Sequence, residues 1–587
     1  MVKELVKSIR EFKLATILTP TFVIGEVIIE ALIPFLISLL INDIKAGCDL
    51  SVILEYAWKL VLLSLLSLLC GYLAGIYCAE ASTGFARNLR YDIFSNIQKF
   101  SFSNIDKFSS ASLVTRLTTD IQNVQMAFMM IIRTAVRAPL NLIFSFTMAY
   151  IMGGSMAVIF LIIIPFLGIG LYLIVRTVMP VFKKGFPLFD KITRIVEENV
   201  KGIRVVKSFV REDYEINKFD ETSNDIRKMF TRAEQIIALN NPLMQISIYA
   251  VMLFVLMFGS EMIIKTNGTS LDVGQLSTLM TYGFQIMVSL MMLSMVFVMI
   301  TFSEESCKRI VEVLNEKSSI TSKENAITEV KDGSIDFDHV RFKYSPTAER
   351  PVLENIDVHI KSGETIGIIG GTGSAKSSFV QLIPRLYDVT EGTVRVGKED
   401  VRDYDLVTLR DSVAMVLQKN VLFSGTIADN IRWGNKDATL EEVKHVCHLA
   451  CADEFIEQMP DGYDTWIEQG GTNVSGGQKQ RLCIARALLK QPKILIMDDS
   501  TSAVDTKTDA IIRKAMKEYI PDTTKIIIAQ RTSSVEDADR IIVLDGGKID
   551  AIGTSEELLQ TNQIYREVYL SQNKQGTEEI VEEGGVR

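Results

Sequence analysis

The chain has 587 residues, too many for one hydrophobic core, and 48% of them are hydrophobic. Its mean hydropathy of +0.22 exceeds that of ordinary soluble globular chains, and its formal net charge of −9 gives no reason to expect nucleic acid as a partner. The apolar residues concentrate in the first 305 positions, so the composition predicts a membrane half followed by a soluble half.

Six segments of the first half are long and apolar enough to cross a bilayer, which takes about 20 residues each. Six such runs in series are very improbable in a soluble protein. We therefore predict an all-α, six-helix transmembrane domain over residues 1–305. Its spans are expected near 15–42, 55–80, 126–152, 156–179, 240–264 and 276–303.

Basic residues in the membrane half concentrate in segments 1–13, 87–116 and 183–232, whereas the alternate loops are short and poor in Lys and Arg. Cytoplasmic loops carry an excess of Lys and Arg. We therefore expect a multi-pass protein of the cell membrane with both termini and the soluble domain in the cytoplasm. The two long inner loops have turn regions at 101–110 and 209–220, where short helices could press on a cytoplasmic domain or form a simple solvated connection.

Ionisable residues inside membrane spans are costly and are functional candidates by default. Glu26 and Glu30 are one helical turn apart in the first predicted span and therefore share a face. They could line a cavity for cationic substrates or form a structural hydrogen-bonded pair between helices. Gln285 and the Met-rich run 287–299 suggest a soft, adaptable binding surface, although methionines at such spacing are more often plain packing.

The composition turns polar after Phe302. Residues 306–332 are predicted as a helical exit and a linker, and residues 333–570 alternate strands with helices, which is typical of an α/β domain. The alternating segment 335–344 and the short apolar runs 494–497 and 526–529 are its clearest predicted strands. The polar, acidic tail 571–587 is predicted to be disordered.

Residues 365–380 read TIGIIGGTGSAKSSFV, a predicted strand, a glycine-rich loop and the start of a helix. This order is the context that a phosphate-binding loop requires. Lys376 would neutralise the terminal phosphates of ATP, and the Ser377 hydroxyl could reach Mg²⁺. The usual pattern has glycine before the lysine, where this chain has Ala375. The candidate ATP-binding residues of the loop are Gly370, Gly371, Thr372, Gly373, Ser374, Ala375, Lys376, Ser377 and Ser378.

Further residues suit the chemistry of a nucleotide site. Asp498 ends a predicted hydrophobic strand, which is the Walker B arrangement that holds Mg²⁺. Tyr344 can stack on an adenine ring, and Gln418 can reach the metal or a water. The expected Mg²⁺ ligands are Ser377, Gln418 and Asp498.

With the later segments V-S-G-G-Q and S-A-V-D, these motifs resemble those of an ABC exporter half-transporter, and the resemblance covers nearly the whole chain. Tyr344 corresponds to the A-loop and Gln418 to the Q-loop. The resemblance implies a P-loop ABC nucleotide-binding domain and two subunits with ATP sandwiched between them, each phosphate loop facing the other subunit's signature. The implied signature residues are Ser475, Gly476, Gly477 and Gln478, and the implied D-loop residues are Ser502, Ala503 and Asp505.

Two positions depart from the family's pattern. Asp499 replaces the glutamate that acts as general base, and Gln530 replaces the switch histidine. Aspartate is one methylene shorter, and glutamine cannot carry a positive charge or shuttle a proton. The chain thus resembles the degenerate-site subunit of a heterodimeric bacterial multidrug exporter, whose own site binds ATP but hydrolyses it slowly.

That resemblance implies a partner half-transporter with glutamate and histidine at the matching positions. It also implies a small amphipathic or hydrophobic substrate carried across a lipid bilayer. Export of a lipid or a peptide, and an ATP-gated regulatory or channel-like protein, are the alternatives.

Overall fold

The computed structural model describes residues 1–345, 347–500 and 504–572, except the side chains of Lys183, Phe186 and Asp190. Contacts divide the chain into two compact units. One comprises Met1–Lys99 and Phe108–Glu316, and the other comprises Phe100–Lys107 and the chain from Lys317 onward.

The first unit is helical because long apolar runs satisfy their backbone hydrogen bonds internally only as helices when they lie in lipid. A further short helix of this half, α4, belongs to the second unit. In chain order the helices are α1 (Val2–Lys7), α2 (Lys13–Lys45), α3 (Leu50–Ile97), α4 (Phe102–Phe108), α5 (Ser110–Thr115), α6 (Ile121–Ile132), α7 (Thr134–Gly153), α8 (Val158–Lys201), α9 (Ile203–Ser208), α10 (Glu212–Ile237), α11 (Asn240–Thr266) and α12 (Val273–Asn315).

Within the described part of the chain, five helical stretches are long and apolar enough to cross a membrane. They differ from the six predicted spans in one place. The stretch Ser110–Lys201 contains both the third and the fourth predicted spans, which lie on either side of a short 3₁₀ turn at Gly154–Ala157. The stretches are Arg10–Lys45, Leu50–Ile97, Ser110–Lys201, Glu212–Thr266 and Val273–Asn315.

Helix α12 is central to the first unit, where it packs against α2, α7, α8 and α11. Tyr282 of α12 is fully buried, and its hydroxyl donates a hydrogen bond of 2.6 Å to the Ala31 carbonyl of α2. Beside it, Phe160 and Leu279 belong to the same buried apolar cluster. The cluster joins the helices that carry the polar intramembrane residues.

The second unit contains two larger sheets and helices on their faces, the α/β architecture that the sequence predicts. A six-stranded, mostly parallel sheet has the order β12-β11-β3-β10-β9-β6, and a four-stranded antiparallel sheet has the order β2-β1-β4-β5. The strands are β1 (Ile335–Phe342), β2 (Leu353–Ile360), β3 (Thr365–Ile369), β4 (Glu391–Val396), β5 (Glu399–Asp400), β6 (Val413–Val416), β7 (Gly425–Thr426), β8 (Trp466–Ile467), β9 (Ile494–Asp498), β10 (Thr524–Ile528), β11 (Arg540–Asp545) and β12 (Lys548–Gly553). The helices are α13 (Lys376–Gln381), α14 (Leu406–Ser412), α15 (Ile427–Arg432), α16 (Leu440–Leu449), α17 (Asp453–Ile456), α18 (Gly476–Leu489), α19 (Thr506–Tyr519), α20 (Ser555–Thr561) and α21 (Gln563–Gln572).

The order of the parallel strands brings the candidate site together. Strand β10 lies between β3 and β9, and β6 lies beyond β9. The carboxyl ends of parallel strands share one edge of a sheet, where ligands bind in open α/β sheets. The phosphate loop after β3, Gln530 after β10, Asp499 after β9 and Gln418 after β6 therefore follow one another along that edge.

The predicted exit and linker region has two parts in the structure. Helix α12 continues past residue 305 to Asn315 and forms the expected helical exit. The remainder of the predicted linker packs with the second unit: Val330 is buried, and the Ile327 backbone bonds to that of Asp403. Helix α21 extends through Gln572, so the predicted tail begins inside a helix, and its residues from 573 lie outside the described part of the chain.

Candidate functional site

The phosphate loop connects β3 to α13 and contains two residues in the left-handed region of φ. Gly373 has φ +84° and Ala375 has φ +70°. A Cβ at Gly370 would lie 2.2 Å from the Leu544 carbonyl oxygen, so only glycine fits there. The left-handed region costs a residue with a Cβ about 1–2 kcal/mol, which explains glycine in the usual pattern. Ala375 therefore carries a backbone cost that glycine at the same position would avoid.

Lys376 lies across the loop that precedes it. Its Nζ donates hydrogen bonds to the carbonyl oxygens of Gly370 at 2.8 Å and Gly371 at 2.9 Å. Burial lowers the pKa of Lys376, and the charges of Asp498 and Asp499 act in the opposite direction. An ammonium group short of solvent and held by neutral carbonyls is suited to exchange these partners for anionic phosphate oxygens.

Asp498, the last residue of β9, is 4% exposed. Burial raises the pKa of Asp498 and the charge of Asp499 raises it further, whereas a hydrogen bond from Ser377 and the charge of Lys376 lower it. A desolvated carboxylate beside a hydroxyl and a second carboxylate supplies the oxygen ligands that Mg²⁺ prefers. Ser377 and Asp498 thus fit the predicted metal, which would supply charge neutralisation of the phosphates.

Asp499 is held by the two glutamines that the sequence singles out. Gln530 Nε2 donates to Asp499 Oδ2 over 2.7 Å, and Gln418 Nε2 makes a longer contact of 3.5 Å with the same oxygen. The Asp499 N–H donates to the Ile528 carbonyl at 3.0 Å, which ties its backbone to β10. One carboxylate oxygen is therefore engaged by an amide donor that can neither accept a proton nor carry a positive charge.

Tyr344 lies beside the phosphate loop and is 45% exposed. Its hydroxyl is 2.8 Å from Ser378 Oγ, and its ring packs edge-on against Tyr387 with the centroids 5.1 Å apart. The exposed ring leaves a face on which a base can stack, as the sequence predicts for this position.

Tyr387 is a residue that sequence reasoning missed. Besides its contact with Tyr344, its hydroxyl donates 2.9 Å to Asp106 Oδ2, and its ring lies 5.9 Å from that of Phe102. Both partners belong to the segment Phe100–Lys107, which the structure assigns to the second unit. The short helix expected at 101–110 therefore contacts the α/β domain through the neighbour of Tyr344. No local pattern in the sequence marks Tyr387.

The signature segment forms the beginning of α18. Ser475 is the N-cap, and its hydroxyl accepts from the Gln478 N–H while Gln478 Oε1 accepts from the Ser475 N–H. This reciprocal pair is a capping box, which leaves the Ser475 and Gly476 backbone at the surface. Gly477 is half-buried in the first turn.

Of the predicted D-loop residues, Asp505 caps α19 by accepting from the Thr508 N–H at 3.0 Å. Ser502 and Ala503 lie outside the described residues.

In the membrane unit, Glu26 and Glu30 share an arginine that was not predicted. Arg137 of α7 donates to Glu26 Oε1 at 3.1 Å and to both carboxylate oxygens of Glu30 at 2.7 and 2.9 Å. Glu26 is 7% exposed, and its Oε2 has no hydrogen-bond partner in the described part of the chain. Gln285 accepts from the Ser145 hydroxyl at 2.9 Å. The signal for Arg137 was present, because it is an ionisable residue inside the third predicted span.

Comparisons with known proteins cover both units. Residues 16–302 match the ABC transporter transmembrane region, and residues 353–502 match the ABC transporter family. The ABC transporter ATP-binding protein YfiB of Bacillus subtilis (strain 168) is 34% identical over 554 residues, 94% of this chain and 96% of that protein. The ATP-dependent lipid A-core flippase of Photobacterium profundum is 30% identical over 521 residues, 86% of this chain and 88% of that protein. A bacterial Atm1-family ABC exporter solved with ATP bound has the same fold, with a TM-score of 0.83, 24% identity and coverage of 96% and 98% of the two chains.

Proposed function

Because the chain belongs to the ABC transporter family, we propose that it is one subunit of a heterodimeric, ATP-driven exporter of amphipathic or hydrophobic compounds. In this proposal its own phosphate loop binds Mg-ATP and hydrolyses it slowly. Its signature completes a competent ATP site on a different polypeptide that carries glutamate and histidine at the positions of Asp499 and Gln530.

The single observation that carries the proposal is the pairing of Asp499 with Gln530 over 2.7 Å. A general base must reach the attacking water and accept its proton, and a displacement of about 1 Å can lower the rate ~10²-fold. Asp499 is one methylene shorter than glutamate, and the residue that contacts it is an amide instead of an imidazole. ATP binding depends mainly on Lys376, Ser377 and Asp498, which retain their roles.

The exposed start of α18 supports the second half of the proposal. Ser475 and Gly476 lie at the surface, and the backbone there is held by the capping box with Gln478. The N-terminus of a 14-residue helix favours an anion, and such an end suits a γ-phosphate approaching from another subunit. The chain therefore combines an intact signature with altered residues at the two hydrolytic positions, Asp499 and Gln530. This asymmetry is expected of one subunit of a heterodimer.

For the membrane unit, we place the substrate path near Glu26, Glu30 and Arg137, with Gln285 as a further candidate. Arg137 neutralises part of the acidic charge, so the pair is not a simple acidic cavity. Oε2 of Glu26, which has no hydrogen-bond partner among the described residues, is the group that a cationic part of a substrate would contact. Glu26→Gln should then lower transport of cationic compounds more than that of neutral ones, whereas equal loss for both would assign the three residues to structure alone.

We infer the membrane orientation from the charge distribution along the chain. The excess of Lys and Arg in segments 1–13, 87–116 and 183–232 supports cytoplasmic termini and a cytoplasmic nucleotide-binding domain. In this orientation the proposed exporter moves its substrate outward from the cytoplasm or the inner leaflet. A protease that cleaves the second unit in inside-out vesicles, but not in sealed cells, tests this orientation.

Lipid translocation is the second candidate, favoured by the relative named ATP-dependent lipid A-core flippase. A lipid and a hydrophobic drug present similar apolar surfaces, so a transport assay is needed to distinguish the two substrate classes. Purified protein in vesicles should move fluorescent amphiphiles against a gradient in the multidrug case. Movement of labelled lipid between leaflets, without amphiphile export, would support the lipid case.

The heterodimer is tested by purifying the chain from its native membranes. We expect a second half-transporter to co-purify. A homodimer with full substrate-stimulated ATP hydrolysis would overturn the proposal.

The slow site is tested in that complex by Asp499→Glu combined with Gln530→His, with Asp545→Glu as a matched control at an exposed strand end. The double substitution should raise hydrolysis by adding turnover at the second site, and the control should leave it unchanged. No change in turnover or in trapped nucleotide with the double substitution would contradict the assignment.

A further inference from the structure

The last described residue of the chain, Gln572, contacts the segment that carries Gln530. Its Oε1 accepts from the Thr532 N–H at 2.8 Å and from the Thr532 hydroxyl at 3.1 Å. Its Nε2 donates to the Gln530 carbonyl oxygen at 2.8 Å. One side chain from the end of α21 thus binds both ends of residues 530–532.

Two of these bonds satisfy the N–H and the hydroxyl of Thr532. Thr532 begins a short 3₁₀ turn, Thr532–Ser534, and the first N–H groups of a helical turn have no partner within it. Thr532 is 1% exposed, so an unmade hydrogen bond there would carry the desolvation cost of a buried polar group. A primary amide is the side chain that offers an acceptor and a donor together.

Helix α21 is itself fixed to the strands that end at the site. Tyr565 is fully buried, and its hydroxyl is 2.8 Å from Ser555 Oγ. It belongs to an apolar cluster that includes Ile369, the residue before the phosphate loop, and Ala529, the residue before Gln530. Helix α21, which carries Gln572, therefore packs against the residues that precede the phosphate loop and Gln530.

We propose that Gln572 is a positioning residue, which holds the backbone at 530–532 so that the Gln530 amide points toward Asp499 and toward the terminal phosphate of a bound ATP. Gln572 contacts the backbone of Gln530, so it does not occupy the side-chain amide, which is bonded to Asp499 and lies at the edge where the nucleotide would bind. This inference rests on the proposed ATP site. It adds a residue near the end of the chain to the machinery of that site.

The test compares ATP and ADP, because only ATP has the phosphate that Gln530 would reach. Affinities are measured on the full chain in nanodiscs by competition with a fluorescent nucleotide. Gln572→Ala should weaken ATP binding about three- to tenfold, the value of one net hydrogen bond, and leave ADP binding unchanged. Gln563→Ala is the matched control, since that glutamine of α21 bonds only to Glu567 of the same helix in the described contacts.

A double-mutant cycle separates positioning from plain structural support. In a Gln530→Ala background, Gln572→Ala should have no further effect on the ratio of ATP to ADP affinity. An equal effect in both backgrounds, or an equal loss for ATP and ADP, would overturn the inference.

Gln572→Glu provides a variant that keeps the acceptor for Thr532 and loses the donor to the Gln530 carbonyl. Gln572→Glu should lower the ratio of ATP to ADP affinity less than Gln572→Ala does. An unchanged ratio in both variants would contradict the inference. If the unmodified chain bound neither nucleotide, the proposed function would fail instead. Wild-type ATP binding without any effect of Gln572 would refute only the positioning role.

Discussion

Gln530 Nε2 donates to Asp499 Oδ2 over 2.7 Å, so the residue at the switch position is hydrogen-bonded directly to the residue at the general-base position. Because Asp499 also has a left-handed backbone, with φ +50°, its carboxylate is held on a tight turn at the end of β9. One oxygen of this carboxylate therefore faces two amide donors, Gln530 and, over a longer distance, Gln418. The pair is the structural basis of the proposed slow site.

Relief of backbone strain in the phosphate loop is the first prediction. Ala375→Gly removes the cost of a left-handed alanine, which is about 1–2 kcal/mol. The greater unfolded-state entropy of glycine opposes this gain by about 0.4–1 kcal/mol. We expect a net gain of about 0.5–1 kcal/mol in the free energy of unfolding, seen as a higher melting temperature of the nucleotide-binding domain. Gly373→Ala, at φ +84°, should lower that temperature. An unchanged temperature for both variants would show that the loop relaxes freely.

Metal binding should follow the protonation of Asp498. The raised pKa of Asp498 means that its carboxyl group takes up a proton at a higher pH than an exposed aspartate does. Since Mg²⁺ needs the charged form, Mg-ATP affinity should fall as the pH is lowered through that raised pKa and stay constant above it. Isothermal titration over a pH series checks this, and ATP with EDTA should lack the dependence.

The same pKa shift predicts the stability of the metal-free protein. A buried carboxyl group whose folded pKa is raised costs stability at pH values where it is charged. Asp498→Asn should therefore raise the melting temperature without Mg²⁺ at neutral pH, and it should abolish the further increase that Mg-ATP produces. A lower melting temperature for this variant in EDTA would show that Ser377 and Lys376 outweigh the burial.

Tyr387 should connect nucleotide binding with the segment that contains α4. Tyr387→Phe removes the hydrogen bond to Asp106 and keeps the ring against Tyr344. We expect nearly normal ATP affinity but weaker stimulation of ATP hydrolysis by the transported compound. Tyr404→Phe is the control, because its buried hydroxyl donates to the Val396 carbonyl and its loss should affect stability alone, by about 0.5–1.5 kcal/mol. Equal effects of the two variants on stimulation would argue against this role.

The ion cluster in the membrane unit should depend strongly on its cation. Arg137→Leu leaves the buried Glu26 and the half-buried Glu30 without their shared partner. Breaking a fully buried ion pair costs about 3–5 kcal/mol, and the partial exposure of Arg137 and Glu30 puts the expected cost near the lower end of that range. We expect a sharp fall in the yield of folded protein. Replacing all three residues with leucine should restore the yield, since no buried charge then remains. A low yield in the triple variant would show that the cluster has a role beyond charge balance.

Much of this protein can be predicted from local sequence. Apolar runs of about 20 residues predict membrane helices because a lipid environment leaves the backbone no other partner, and the order strand, glycine-rich loop, Lys376 and Ser377 predicts a phosphate site because each part has a local role. The departures at Ala375, Asp499 and Gln530 are also visible, since each is one residue within a recognisable motif. These properties depend on neighbours in the chain.

The tertiary structure alone decided which distant residues meet. The strand order β3-β10-β9 places Gln530 between the phosphate loop and Asp499, although the chain separates them widely. Arg137 joins Glu26 and Glu30 from another helix, and Gln572 reaches Gln530 and Thr532 from helix α21. Helix periodicity and motif spacing carry no information about such contacts, because they arise from how strands and helices pack. The sequence thus determined the chemistry available to the site, and packing determined which groups share it.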